Sequence, residues 1–201
     1  DVFVMGNGTN IVFSDAGFDG AVIKTCGISD ISADGRTLTC WCGALLSKAA
    51  AEAAKLGLTG LEFAAGIPGS VGGAVCMNAG AYGGEIAGVT VKTVYADRKG
   101  TKGELYGDEN RFSYRTSYYS FHPGLTVLKA VFKLEHGNEN AVREKMRELA
   151  ERRKVSQPLD LPSAGSAFKR PTGGYAAGLI EDAGLKGFSI GGAQVSQKHS
   201  G

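Results

Sequence analysis

The chain has 201 residues, 43% of them hydrophobic and 21% charged, with a formal net charge of +2. That apolar content supports the core of one domain or of two small ones, while so small a charge, its lysines and arginines interspersed among acids, excludes the basic footprint of a nucleic-acid binder. No apolar run approaches the roughly 20 residues that cross a bilayer, so a soluble, cytoplasmic protein without a membrane partner is expected.

The opening DVFVMGNGTN enters a strand at once, and the closing GGAQVSQKHSG stops inside a patterned segment. Both ends of the natural protein are therefore expected to be missing. VFVM, GNGTN and IVF read as strand, tight glycine turn and strand; AVIKT and TLTCWC follow as further strands. ALLSKAAAEAAKLG reads as a helix, because Leu45, Ala49, Ala53 and Leu56 recur on one face and Gly57 supplies the stop. Residues 66–84 form a glycine-rich region. Residues 86–95 alternate toward a turn at 97–100, and 125–134 is another strand, so this half is expected to be an antiparallel sheet with few helices. Residues 139–154 read as a surface helix with Val142, Met146, Leu149 and Ala150 inward and a solvated basic face. SQPLDLPSAGSAFKRPTGG holds three of the five prolines and forbids regular structure, marking a domain boundary or an active-site loop. A short helix, 175–183, ends at Gly184.

Cys26, Cys40, Cys42 and Cys76 form no C-x-x-C pair and the three histidines lie far apart, so no metal is expected and the thiols read as reduced core residues. The 31 glycines, about twice the usual roughly 7% share, need positional explanations. A glycine turn lets main-chain N–H groups approach an anion, and successive N–H groups make a nest for phosphate oxygens. GNGTN lacks the third glycine and following helix of a dinucleotide fingerprint, and no P-loop lysine pattern occurs. Either loop alone is explained as a strand turn. The pair, with four glycines and a proline in GIPGSVGGA, points to ligand contact, and two such loops suit a diphosphate.

GNGTN, then GLTGLEFAAGIPGSVGGAVCMNAGAYGGEI, then FSYRTS, then ERRKVSQPLDLPSAGSAFKRP and AGLKGFSIGGAQVSQKHSG together resemble the UDP-N-acetylenolpyruvoylglucosamine reductase (MurB) family, from end to end of the chain and in family order. The resemblance implies an α+β FAD-binding fold of the p-cresol methylhydroxylase/vanillyl-alcohol oxidase type, with residues 1–154 holding FAD and 155–201 forming a C-terminal α+β substrate-binding subdomain. It implies an enzyme that uses NADPH and FAD to reduce UDP-N-acetylglucosamine enolpyruvate in peptidoglycan precursor synthesis, working as a monomer.

On that resemblance Gly6, Asn7, Gly8, Thr9 and Asn10 face FAD, together with Gly66, Pro68, Gly69, Ser70, Gly72, Gly73 and Asn78. Arg115 of SYRTS matches the family arginine that stabilises the enolate, a role suited to a planar guanidinium fork. Ser166 of AGSAFKRP matches the proton donor. Tyr82, Lys169, Arg170 and Gln194 are expected on the substrate; Ser196, Lys198 and His199 receive no individual role. The family pattern continues to a C-terminal glutamate beyond Gly201, for which Glu85 and Glu181 are no substitutes. The uninterrupted AGLIEDAGLKGFSIGGAQVS points to the shorter family type. Two other readings stay open: another FAD oxidoreductase of the same superfamily, although the glycine loops hold no histidine or cysteine for covalent flavin attachment, and a fragment that binds without catalysis.

Overall fold

The structure, a computed structural model, describes residues 1–201. The chain divides into two compact units, Asp1–Leu149 and Ala150–Gly201.

The first unit opens with β1 (Val2–Met5) and β2 (Ala21–Lys24), which pair in parallel, Val2 opposite Ala21 and Met5 opposite Lys24. Parallel pairing needs a crossover between the strands, and the segment that starts with GNGTN provides it. The strand expected at residues 11–13 is absent: that segment lies out of any sheet, and Val12 is 92% exposed. An apolar triplet without a partner strand has no ladder to join, so its β propensity alone does not order it.

The core is a five-stranded antiparallel sheet. Its strands are β3 (Ile31–Asp34), β4 (Thr37–Trp41), β8 (Thr90–Ala96), β9 (Lys102–Tyr106) and β10 (Thr126–Lys133), in the order β3-β4-β10-β8-β9. Along β4 the period of two sends Leu38 and Cys40 fully inward, and along β10 it does the same for Ala130 and Phe132. Burial of Leu38 or Phe132 contributes about 1.5–3 kcal/mol each. The β3 strand is not among the expected elements; a turn at Gly35 and Arg36 folds it back on β4, Ile31 opposite Cys40.

Two helices cover this sheet. Helix α1 (Leu46–Lys55) forms because its run of alanines has the highest helix propensity, and Gly57 beyond its end adopts φ +63. Its inward stripe is Leu46, Ala49, Ala50, Ala53 and Ala54, each almost fully buried, while Leu45 and Leu56 are 42% and 52% exposed. The expected stripe is thus rotated. Leu45 has extended backbone and lies outside the helix, where the helical period no longer describes its direction. Helix α2 (Val71–Cys76) lies inside the glycine-rich region and packs on β4 and β10. Its signal was the spacing of Val71, Ala74 and Val75 behind Ser70, whose side chain caps the helix.

Two short antiparallel strand pairs, the second a hairpin, complete this unit. β5 (Leu58–Thr59) pairs with β11 (Glu135–His136), and β6 (Gly80–Ala81) with β7 (Gly84–Glu85). Helix α3 (Glu139–Ser156) carries surface ion pairs such as Arg143–Glu139 and buries Val142 and Leu149, but leaves Ala150 exposed against expectation.

In the second unit residues 157–174 have no regular structure, and α4 (Ala176–Asp182) follows, closed by Gly184 at φ +72. β12 (Ser189–Ile190) and β13 (Ala193–Gln194) make a hairpin. Ser200 is tied to α4 by hydrogen bonds from its hydroxyl to Ala177 O, 3.2 Å, and to the Glu181 carboxylate, 2.8 Å. No helix of the chain is long and apolar enough to cross a membrane.

Candidate functional site

The two glycine loops, 60 residues apart in sequence, meet in space. The Asn7 side chain donates to Pro68 O at 2.8 Å. A Cβ at Gly6 would lie 2.0 Å from Ser70 Oγ, and one at Gly69 would lie 3.6 Å from Thr9 Oγ1. Only a bare α-carbon at position 6 allows this approach. Gly8 has φ +74, the left-handed turn that reverses the first loop.

The second loop is anchored from below. Leu46 N bonds Gly69 O at 2.9 Å, and Val71 N bonds Ala44 O at 2.8 Å. The first N–H groups of α2 are engaged in the same way: Gly72 N reaches Cys42 O at 2.8 Å and Gly73 N reaches Ser70 Oγ at 3.4 Å. By contrast the N–H groups of Asn7, Gly8, Thr9 and Asn10, and beside them Gly69 and Ser70, make no hydrogen bond within the chain. These are unbonded donors in two touching loops, and successive unbonded amides suit the oxygens of a diphosphate. Gly66 and Pro68 are exposed on the same loop, whereas Gly72 is buried against Cys42. Gly72 is therefore a packing glycine, the opposite of the ligand contact expected for it.

A second cluster surrounds Arg115. Residues 113–116 form a tight turn closed by Ser113 N to Thr116 O and Thr116 N to Ser113 O, both 3.1 Å, with Arg115 at φ +55. Its guanidinium donates from Nη2 to Gly80 O, 2.9 Å, and from Nη1 to Asn78 O, 3.5 Å, and lies 5.2 Å from the Tyr114 ring. No carboxylate lies within ion-pair distance of it. Tyr82 sits at the tip of the β6–β7 hairpin, 40% exposed, with φ +53 at Tyr82 and +85 at Gly83. A non-glycine residue held at positive φ costs about 1–2 kcal/mol, and four of them, Asn78, Tyr82, Arg111 and Arg115, fall in residues 78–115. The structure thus brings Arg115 and the Tyr82 hairpin together through the Asn78–Gly80 backbone.

Asn78 is among the residues expected at the cofactor. It is fully buried, its amide donating to Ser113 O at 3.0 Å and accepting from Ala87 N at 2.9 Å. Below it Ser117 and Ser120, unremarked in the sequence, both donate to Cys76 O, at 2.9 and 3.2 Å. A lone serine carries no such signal in sequence, because its partner is a distant carbonyl. Burial pushes the Cys40 thiol up to about 12, the Cys76 thiol to about 11 and Cys42 in the same direction, so all three stay neutral and unreactive.

Ser166, Lys169 and Arg170 belong to the second unit, on its exposed irregular segment; the Arg170 guanidinium lies 4.5 Å from the Tyr175 ring. Gln194 is on β13, donating to Gly187 O at 3.3 Å and Ser189 Oγ at 3.1 Å.

The scaffold that carries these touching glycine loops is of the FAD-binding class: residues 1–96 match the family model of an FAD binding domain. Residues 157–201 match the model of the UDP-N-acetylenolpyruvoylglucosamine reductase C-terminal domain. The UDP-N-acetylenolpyruvoylglucosamine reductases of Clostridium tetani and Caldanaerobacter subterraneus subsp. tengcongensis are 49% and 50% identical over 99% of this chain, which spans 64% and 66% of their lengths. The chain is thus a little under two thirds as long as these relatives. The crystal structure of the reductase (MurB) from Thermus caldophilus superposes with a TM-score of 0.87 at 36% identity, covering 99% of this chain and 72% of that one. The chain belongs to the UDP-N-acetylenolpyruvoylglucosamine reductase (MurB) family, and its fold is the α+β FAD-binding fold of the p-cresol methylhydroxylase/vanillyl-alcohol oxidase type.

Proposed function

We propose that the chain carries the catalytic part of an FAD-dependent reductase that uses NADPH to convert UDP-N-acetylglucosamine enolpyruvate to UDP-N-acetylmuramate, in the cytoplasm and as a monomer. The observation that carries this reading is the pair of touching glycine loops whose amides at Asn7–Asn10 and Gly69–Ser70 make no hydrogen bond within the chain. Those donors fit the diphosphate of FAD, and the loops lie within the residues that match the FAD-binding family model. Residues 1–154 hold the cofactor in this reading and 155–201 cover the substrate.

Bound FAD supplies a hydride, drawn from NADPH, for the terminal carbon of the enol ether. The chain's own residues handle the charge and the proton. Charge builds on the carbon beside the carboxylate and on the carboxylate itself. Arg115 meets it with a guanidinium whose partners in the chain are neutral carbonyls, so its full charge remains for an anion. Ser166 passes its hydroxyl proton to that carbon and regains one from water; Lys169 and Arg170 favour the transient alkoxide. Tyr82, exposed at a hairpin tip, lies near the substrate diphosphate in this reading, with Arg170 as its partner there, and Gln194 is a further substrate contact.

Reconstitution with FAD tests the reading. A yellow protein absorbing near about 450 nm, bleached by NADPH and recoloured on adding the enol ether, is expected. Absence of flavin after reconstitution refutes it, and recolouring by oxygen alone assigns the chain to another oxidoreductase class. Ser166→Ala should leave bleaching unchanged and slow recolouring by about 100-fold or more; equal loss of both removes Ser166 from the proton transfer.

A further inference from the structure

We infer that Asn78 is a positioning residue for Arg115, acting through the 113–116 turn rather than on the cofactor. This rests on the proposed role of Arg115. The Asn78 side chain is fully buried and bridges two elements, donating to Ser113 O at 3.0 Å and accepting from Ala87 N at 2.9 Å. Its own carbonyl in turn accepts from Arg115 Nη1 at 3.5 Å. One residue therefore grips the turn from its first member and the guanidinium from its tip.

The backbone makes this grip necessary. Arg115 sits at φ +55, where an arginine does not rest without support. The turn's two internal bonds, both 3.1 Å, fix its shape but not its location. The Nδ2 bond to Ser113 and the two guanidinium bonds, to Asn78 O and Gly80 O, fix the location. Asn78 itself stands at φ +40, a conformation asparagine tolerates better than most residues, which places its carbonyl toward Arg115 while its amide turns to Ser113. Without the side chain the turn loses its anchor, so its two internal bonds open more often and its register against the hairpin that bears Tyr82 is lost.

Asn78→Gly tests this, because glycine accepts φ +40 without strain and loses the side-chain bonds to Ser113 O and Ala87 N together. In the FAD-loaded protein, flavin affinity and bleaching by NADPH should stay within about twofold of the parent. Recolouring by the enol ether should slow by about 10- to 100-fold, the cost of misplacing a catalytic group by a fraction of an ångström to an ångström. Hydrogen exchange at the Ser113 and Thr116 amides should quicken, while exchange in residues 6–10 stays unchanged. Asn78→Gly added to Arg115→Ala should slow recolouring no further. Weakened flavin binding, or slowed recolouring with unchanged exchange at the turn, overturns the inference. Should Asn78→Gly not fold, Asn78→Asp keeps the Oδ1 acceptor and removes the donor; equal loss of both half-reactions in that variant is equally fatal. If the parent protein fails to bleach or recolour, the functional reading falls, and exchange at the turn still decides whether Asn78 holds it.

Discussion

GNGTN and GIPGSVGGA look alike as sequence and differ as structure. The first is a crossover turn whose amides at Asn7–Asn10 make no hydrogen bond within the chain, with Gly8 at φ +74. The second is the entry to a helix: Ser70 caps α2, the first amides of that helix are engaged by Ala44, Cys42 and Ser70, and Gly72 is bare because Cys42 leaves no room. Glycine abundance thus has two causes in one site. In the first loop it allows the turn at Gly8 and the approach of Gly6 to Ser70, and in the second it lets a helix start pack against Cys42.

Substitutions separate these causes. Gly72→Val should be the most damaging, since even its Cβ would lie 2.9 Å from Cys42 Cβ and 3.2 Å from Cys42 O. A loss of about 3 kcal/mol, the upper part of the overpacking range, should appear in the urea midpoint of the flavin-free protein. Gly6→Ala should cost about 1–3 kcal/mol by colliding with Ser70 Oγ. Ser70→Ala alone, which removes the helix cap, should cost about 1 kcal/mol. Because Ser70→Ala also removes the colliding oxygen, the double variant should cost less than the sum; strict additivity would contradict the loop contact.

Asn7→Ala should barely change stability, as its bond to Pro68 O is exposed, yet should weaken FAD binding by about 2- to 10-fold in a fluorescence titration, the worth of one ordinary hydrogen bond. The smallest change is expected in amide exchange at Val71, Gly72 and Gly73 on FAD loading, because these amides are already bonded. Amides of Asn7, Gly8, Thr9 and Asn10 should slow clearly in the same experiment. Equal slowing of both sets would remove the distinction between the loops.

Much of the fold was legible because periodicity is local. The strands at Ala21–Lys24, Thr37–Trp41 and Thr126–Lys133, the alanine helix and the closing helix all follow from alternation, propensity and a terminal glycine. Residues 11–13 misled, since an apolar triplet says nothing about whether a neighbouring strand exists. Helix α2 was hidden by its own glycines, which are poor helix formers kept there by Cys42. Gly6, Asn7, Ser70 and Arg115 stand out by motif, whereas nothing local to Asn78 in NAGAYGG announces its burial or its bonds to Ser113 and Ala87.

By itself the sequence determined the elements with a clear period, the family, and which residue types cluster in its motifs, because these depend on neighbours a few positions apart. Only the tertiary structure decided which amides remain unbonded, which glycines exist for packing, and which buried amide holds the arginine turn. Each of those depends on a partner tens of residues away, such as Pro68 for Asn7 or Ser113 for Asn78, and no local pattern encodes such a meeting.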